Sequence, residues 1–258
     1  MLILIQQKKL IISERNAPKA EKKGKFVKIL QKLIYPKCDW IIFQTEQAKL
    51  EYSKKIQVKS SVIPNPISLN LPNWDYKNVK PIICAIGRLA EQKNYPFLLK
   101  TFKLFSQEFP SYQLHIYGDG KLRKELNILC TKLKIEDKVI FKGNQNKVHE
   151  MIKDNCMYIM TSNYEGMPNS LMEAMTIGLP CISTDCPSGG PRQLIKNNVN
   201  GFLIDMNNTE QLLEKMKYII LSKEEIMKIS LKAKEINKTY NINHITTLWK
   251  ECILNNLQ

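Results

Sequence analysis

Two glutamates, Glu165 and Glu173, stand with seven residues between them, and the turn Gly166-Met167-Pro168-Asn169-Ser170 fills most of that interval. An apolar helical run, beginning at Leu171, carries Glu173. With Ser170 in the first turn of a helix, the unpaired backbone N–H groups of that turn point back over Gly166–Ser170. Such a turn suits a phosphate or a sugar oxygen. Glu165 then sits in the loop before the helix and Glu173 about one turn inside it. Two carboxylates beside a row of amide donors suit a sugar and a ribose bound side by side. The same residues have plainer readings. Ser170-Leu171-Met172-Glu173 is also a capping box, S-x-x-E, in which Glu173 only closes the helix start. Glu165, in a Gly/Pro loop, also reads as a solvated turn residue.

Other loops offer complementary charge. Cys84-Ala85-Ile86-Gly87-Arg88 is a strand leaving a glycine, and Lys93 follows Arg88 five residues later. Arg88 brings a planar fork of donors and Lys93 a point charge, a pair suited to a pyrophosphate. Gly118-Asp119-Gly120 falls one glycine short of G-x-G-x-x-G, because Arg123 holds the third position. There is no P-loop and no G-x-S-x-G elbow. Ser188-Gly189-Gly190-Pro191 reads as a flexible loop opening a helix, or as a tight turn.

These loops need a frame. Leu10–Ser13 and Trp40–Phe43 read as strands. Between them Glu21–Ile34 is a basic amphipathic helix, expected to pack one face on its own sheet, with anionic lipid as the alternative contact. Ser61–Ile67 is a further strand, and Asn70–Lys80 a polar linker. After it, strands at 81–86, 112–117, 139–141, 158–160, 180–183 and 201–204 alternate with helices at 96–107, 121–133, 148–154, 170–177 and 191–195. Helices at 211–218, 224–237 and 242–255 end the chain. The alternation predicts a doubly wound parallel sheet, with ligands at the carboxyl ends of its strands. The loops to search are Gly87–Asn94, Gly118–Gly120, Lys142–Asn146 and Asn163–Ser170.

Composition sets further bounds. The 258 residues are 43% hydrophobic and 24% charged, ordinary for a globular protein, with a net charge of +15. Residues 1–80 hold sixteen Lys/Arg against six Asp/Glu, so the charge is concentrated there and suits an anionic partner. The seven cysteines are scattered, without C-x-x-C, and read as reduced thiols of a cytosolic protein. Three histidines without metal-ligand spacing give no zinc site. No apolar run approaches membrane-spanning length, and Met1–Ile5 lacks the order of a signal peptide. Phe26 and Tyr35 are a thin aromatic supply among the basic residues, so no nucleic-acid partner is expected.

In sequence order, Ile86-Gly87-Arg88-Leu89…Lys93-Asn94, His115-Ile116-Tyr117-Gly118-Asp119-Gly120, Phe141-Lys142-Gly143, Ser162-Asn163-Tyr164-Glu165-Gly166-Met167-Pro168-Asn169-Ser170, Glu173-Ala174-Met175 and Gly178-Leu179-Pro180 resemble the family 4 retaining glycosyltransferases of GT-B fold. Thr184–Pro191 resembles those that build bacterial capsule, lipopolysaccharide and related glycans. The resemblance covers roughly residues 80–205. It implies an α/β, GT-B-like fold. A C-terminal Rossmann-like doubly wound parallel sheet (76–236) binds the nucleotide-sugar donor. A partial N-terminal Rossmann-like domain (1–75) faces the acceptor, and a last helix (237–258) crosses back toward it.

The resemblance also implies roles. Arg88 and Lys93 bind the donor diphosphate and stabilise the leaving nucleotide. Glu165 holds the donor sugar near its anomeric carbon and Glu173 the ribose hydroxyls. Backbone amides of Gly166, Met167, Pro168, Asn169 and Ser170 line the sugar and distal phosphate, as far as each has an N–H. Gly87, Asp119 and Leu171 complete the expected substrate-binding set. No cofactor and no metal are expected. The partners are a nucleotide-sugar, with UDP named by analogy, and a glycan or lipid-linked acceptor. The expected place is the cytoplasm, with the inner membrane face as an anionic contact.

The resemblance is partial. Full members have an N-terminal domain of about 180 residues, and only its back half has a counterpart here: Ser13-Glu14-Arg15-Asn16, the basic helix, Trp40–Thr45 and Ile63-Pro64-Asn65-Pro66-Ile67. The early strands, the Gly-rich loop and an acceptor-side histidine have none. The expectation is a truncated or split gene product, with a separate N-terminal chain as a possible partner and a non-catalytic nucleotide-sugar-binding module as the alternative function.

Overall fold

The structure, a computed structural model, describes residues 9–15, 17, 25–68 and 70–257. Met1–Ile5, Asn16 and the first turn of the basic helix, residues 21–24, lie outside the described residues.

Three parallel strands form a small sheet in the order β1 (Ile11–Glu14), β2 (Trp40–Phe43), β3 (Ser60–Val62). The helices α1 (Lys25–Ile34), α2 (Glu46–Leu50) and α3 (Lys54–Gln57) connect them. The expected strand over 61–67 stops at Val62, where Pro64 and Pro66 lack the N–H a ladder needs. Ile67 forms only an isolated bridge to Asn241.

A second sheet has six parallel strands: β4 (Lys80–Ile86), β5 (Gln113–Tyr117), β6 (Val139–Gly143), β7 (Asn155–Met160), β8 (Cys181–Thr184) and β9 (Phe202–Ile204). Their spatial order is β6-β5-β4-β7-β8-β9, the doubly wound order that reverses between β4 and β7. The connecting helices are α4 (Tyr95–Glu108), α5 (Arg123–Leu133), α6 (Val148–Ile152), α7 (Asn169–Ile177) and α8 (Gly190–Leu194). Then come α9 (Thr209–Leu221), α10 (Lys223–Ala233), α11 (Ile236–Tyr240) and α12 (Ile242–Leu257). The single helix expected over 224–237 is thus two, broken at Lys234–Glu235.

Alternate side chains of the strands go to opposite faces, and both faces are covered. Ile83, Ala85, Leu114, Ile116, Met157 and Ile159 pack under α4, α5, α9 and α10. Cys84, Tyr117, Tyr158 and Met160 pack under α7, α11 and α12. This second core also takes Ile42 and Ile63, so it spans from the large sheet to the small one. All seven cysteines are buried, and no disulfide links them. Burial pushes Cys84 up to about 12 and Cys130 to about 11.

One expectation about α1 is overturned. Its apolar side chains do not pack on the small sheet: Phe26 is 72% and Leu33 58% exposed, and Val27, Ile29, Leu30 and Ile34 are also exposed. The periodicity identified an apolar face correctly but could not specify what covers it. No helix among the described residues is long and apolar enough to cross a membrane.

Candidate active site

The reversal of strand order leaves a crevice at the carboxyl ends of β4 and β7, where neighbouring connections leave on opposite faces of the sheet. The loops after β4 and β7 meet there. Asn163 donates its backbone N–H to Gln92 O (2.7 Å) and its side-chain amide to Glu91 O (2.7 Å). Thr161 Oγ1 donates to Lys93 O (3.0 Å), and Gln92 Nε2 to Tyr164 O (3.1 Å).

This stitching brings Lys93 to Glu165. Lys93 Nζ lies 2.6 Å from Glu165 Oε1, which also accepts from Ser162 Oγ at 2.7 Å. Glu165 Oε2 accepts from Gln92 Nε2 at 3.3 Å. Glu165 is only 7% exposed, so it is no solvated turn residue. Its charge is felt nearby: burial first, and Glu165 second, push the Cys186 thiol up to about 12. The same two causes raise Tyr95. The aliphatic stem of Lys93 crosses Gly87, where an added Cβ would stand 2.6 Å from Lys93 Cε.

Beside this pair is a cleft of about 360 Å³ lined by Ile86, Gly87, Arg88, Asp119, Asn144 and Val148 among others. Backbone bonds knit its rim: Gly87 N to Tyr117 O (2.9 Å), Gly118 N to Gly143 O (2.7 Å) and Leu89 N to Asp119 O (3.0 Å). Asp119 Oδ1 accepts from Gly120 N at 2.7 Å. Arg88 makes no ion pair among the described residues and stands at the cleft wall.

The helix α7 starts differently from a capping box. Asn169 is its first residue, Pro168 is the N-cap, and no side chain caps it. Ser170 is therefore inside the first turn, and its hydroxyl accepts from Tyr158 Oη (2.9 Å) rather than from a backbone N–H. Glu173 Oε2 instead meets His149 Nε2 of α6 at 3.0 Å, with both side chains 30% exposed. The capping role is thus excluded by where the helix begins. Leu171 is wholly buried, and its N–H and that of Met172 both return to Pro168 O (3.1 Å each). The N–H groups of Asn169 and Ser170 have no acceptor within the helix. Met167 N donates to Gln44 Oε1 (3.1 Å) of the small sheet's unit.

The Ser188–Pro191 segment is not a free flap. Ser188 is buried in the left-handed region (φ 69°), its carbonyl accepts from Thr45 Oγ1 (2.6 Å) and its hydroxyl donates to Glu51 (3.0 Å). Gly190 packs so closely that a Cβ would stand 1.8 Å from Gly166 O.

The structure therefore collects Gly87, Arg88, Lys93, Asp119 and Glu165 around the strand-order reversal, and puts Glu173 on the first turns of α7. Sequence reasoning did not single out Gln92, Ser162, His149, Gln44 or Asn65. Gln92 lay in a loop already marked for search, and Ser162 stands one residue before another. The other three carried no spacing signal. Among the described residues no group of three or more His, Cys, Asp or Glu could hold a metal ion.

Two Rossmann-like parallel sheets, the larger with a polar crevice at its switch point, define a GT-B-type fold. Anabaena HepE, solved in complex with UDP-glucose, shares it with a TM-score of 0.86 at 18% identity, over 96% of this chain and 72% of that one. The chain belongs to the family "Glycosyl transferases group 1", whose model matches residues 72–236. An uncharacterized glycosyltransferase of Haemophilus influenzae is 31% identical over 214 residues, 83% of this chain and 60% of the relative. A lipopolysaccharide 1,6-galactosyltransferase of Salmonella typhimurium is 37% identical over 155 residues, 55% of this chain and 41% of the relative. The chain spans about half the length of the curated relatives it matches.

Proposed function

We propose that the chain binds a nucleotide-sugar at the crevice and transfers its sugar, with retention, to a glycan or lipid-linked acceptor of a bacterial surface polysaccharide. The observation that carries this is the Lys93–Glu165 pair, held at the switch point beside the Arg88 cleft. The cleft takes the nucleoside, Glu173 the ribose, Arg88 and Lys93 the diphosphate, and Glu165 with the Asn169 and Ser170 amides the sugar. As the bond from the anomeric carbon to the phosphate oxygen breaks, negative charge grows on the leaving diphosphate. Fixed cations there lower the barrier without reorganising, and in this reading they supply the positive charge that a metal supplies elsewhere. The acceptor hydroxyl oxygen forms the new bond, and its proton leaves with the diphosphate. The retaining course rests on the family resemblance alone. UDP is the first donor nucleotide to test, because HepE and other solved neighbours are held with UDP or UDP-glucose.

Titration calorimetry with UDP-, GDP- and ADP-sugars tests the reading. Binding of one class, weakened by Arg88→Ala, is expected; no affinity for any of them overturns it. A second reading is a donor-binding module working with a separate chain. Donor binding with no turnover until such a chain is added supports it.

The exposed apolar face of α1, in the basic third of the chain, supports a place at the inner membrane surface. Co-sedimentation with anionic but not neutral vesicles, lost in Phe26→Glu/Leu33→Glu, is the expected outcome.

A further inference from the structure

Met167 lies in the loop between Glu165 and Asn169, and both of its backbone polar groups are held by side chains from far earlier in the chain. Its N–H donates to Gln44 Oε1 (3.1 Å), and its carbonyl accepts from Asn65 Nδ2 (3.1 Å). Gln44 Nε2 donates to Asn65 Oδ1 (2.5 Å), which closes the ring. Asn65 Nδ2 also donates to Asn169 Oδ1 (2.6 Å), and the Arg15 guanidinium donates to Asn65 Oδ1. Gln44, Asn65 and Met167 are all buried.

The ring is specific. Each amide uses its oxygen and its nitrogen in opposite senses, so turning Gln44 over breaks two bonds and turning Asn65 over breaks four. A buried polar network with every member paired selects one arrangement of the chain around it. Gly166 belongs to the same device. A Cβ there would stand 2.5 Å from Gln44 Oε1 and 2.7 Å from Arg15 O, so the glycine admits the Gln44 amide. Gly166 therefore owes its identity to Gln44 and Arg15, whatever else the loop binds.

We propose that Gln44 and Asn65 are positioning residues for the donor-sugar loop. They fix the backbone of Gly166–Pro168, and through it the aim of the Glu165 carboxylate and the start of α7. The assignment rests on the functional reading above, in which this loop meets the sugar and the Arg88 cleft meets the nucleotide. It follows that Gln44 and Asn65 set the sugar's share of the binding and leave the nucleotide's share alone. The small sheet's unit thereby contributes to donor recognition without touching the donor.

Two measurements on the full chain test this. The first is amide exchange at Met167 without ligand. Gln44→Met keeps the side chain's length and removes the acceptor, so faster exchange at Met167, beyond any change at the β7 core amides that report global opening, is expected. Unchanged exchange overturns the proposal. The second is calorimetric affinity for UDP and for UDP-glucose in the wild type, Gln44→Met, Gln44→Glu and Asn65→Asp. Gln44→Glu retains an acceptor for Met167 N–H, whereas Asn65→Asp loses both donors. Gln44→Met and Asn65→Asp are expected to weaken the sugar nucleotide by roughly fivefold or more, with UDP within about twofold. Gln44→Glu is expected to fall between them and the wild type. Equal losses for UDP and UDP-glucose, or none, overturn the proposal. If the wild type binds no nucleotide at all, the functional reading fails, while the exchange measurement still decides whether Gln44 holds the loop.

Discussion

Lys93 Nζ stands 2.6 Å from Oε1 of Glu165, a residue 72 positions further along the chain. The side chains are 14% and 9% exposed, so each charge depends on the other. Removing one partner of a buried pair leaves an uncompensated charge, which costs about 3 kcal/mol or more. Lys93→Ala is expected to lower unfolding free energy by about that much in denaturant titration. Lys93→Ala/Glu165→Gln should recover most of the loss, because no charge is then left unpaired, and should still fail to bind sugar nucleotide. If the single and double variants are equally unstable, the pair is not coupled in this way.

Glu173 differs in kind, because it is partly solvated and its partner His149 is equally so. Glu173→Ala should therefore leave the melting temperature nearly unchanged. It should weaken nucleoside diphosphate binding by roughly tenfold or more, the scale of hydrogen bonds to a charged group. The comparison ligand is the diphosphate alone with the 2′-deoxyribose analogue beside it. A variant that loses the same factor for both ribose and deoxyribose forms would place Glu173 away from that hydroxyl.

The strands could be read from the sequence because a sheet covered on both faces leaves nearly continuous apolar runs, as in Ile82-Ile83-Cys84-Ala85-Ile86. The loops at their carboxyl ends could be read for the same reason, since glycines punctuate them. What could not be read was which loops meet. That depends on β4 lying beside β7, and nothing in the local sequence of either strand encodes the neighbour. Lys93–Glu165 and Gln44–Met167 both follow from such long-range placement. The start of α7 was legible to within one residue; the capping-box alternative fails because Pro168 takes the N-cap position, which puts Ser170 inside the first turn.

Gly118 ties the cleft together by close approach. Its φ is 128°, and a Cβ would stand 2.2 Å from Gly87 O. Gly118→Ala must strain its own backbone and push the β4 and β5 loops apart. A loss of about 2 kcal/mol in stability is expected, with nucleotide binding falling further than stability explains. Gly143→Ala is the control, since no atom lies within 4 Å of its added Cβ, although its φ of 65° keeps some strain. Equal effects of the two substitutions on binding would argue against the contact with Gly87 as the cause.

His115 gives the fold a pH dependence whose sign can be worked out. It lies buried on β5, with Nε2 3.1 Å from Gln113 Oε1. Burial first, and the charge of Lys142 second, push it down from 6.5 to about 4. In the unfolded chain the imidazole takes up its proton near 6.5, while the folded chain resists until about 4. Between those values the unfolded state binds more protons, so stability falls as pH falls through that window. The loss between pH 7 and pH 5 should be roughly 1–2 kcal/mol from this group. Denaturant titrations at several pH values should show that slope in the wild type and a flatter one in His115→Asn. A slope in this window that survives the substitution unchanged would assign the acid sensitivity to other groups.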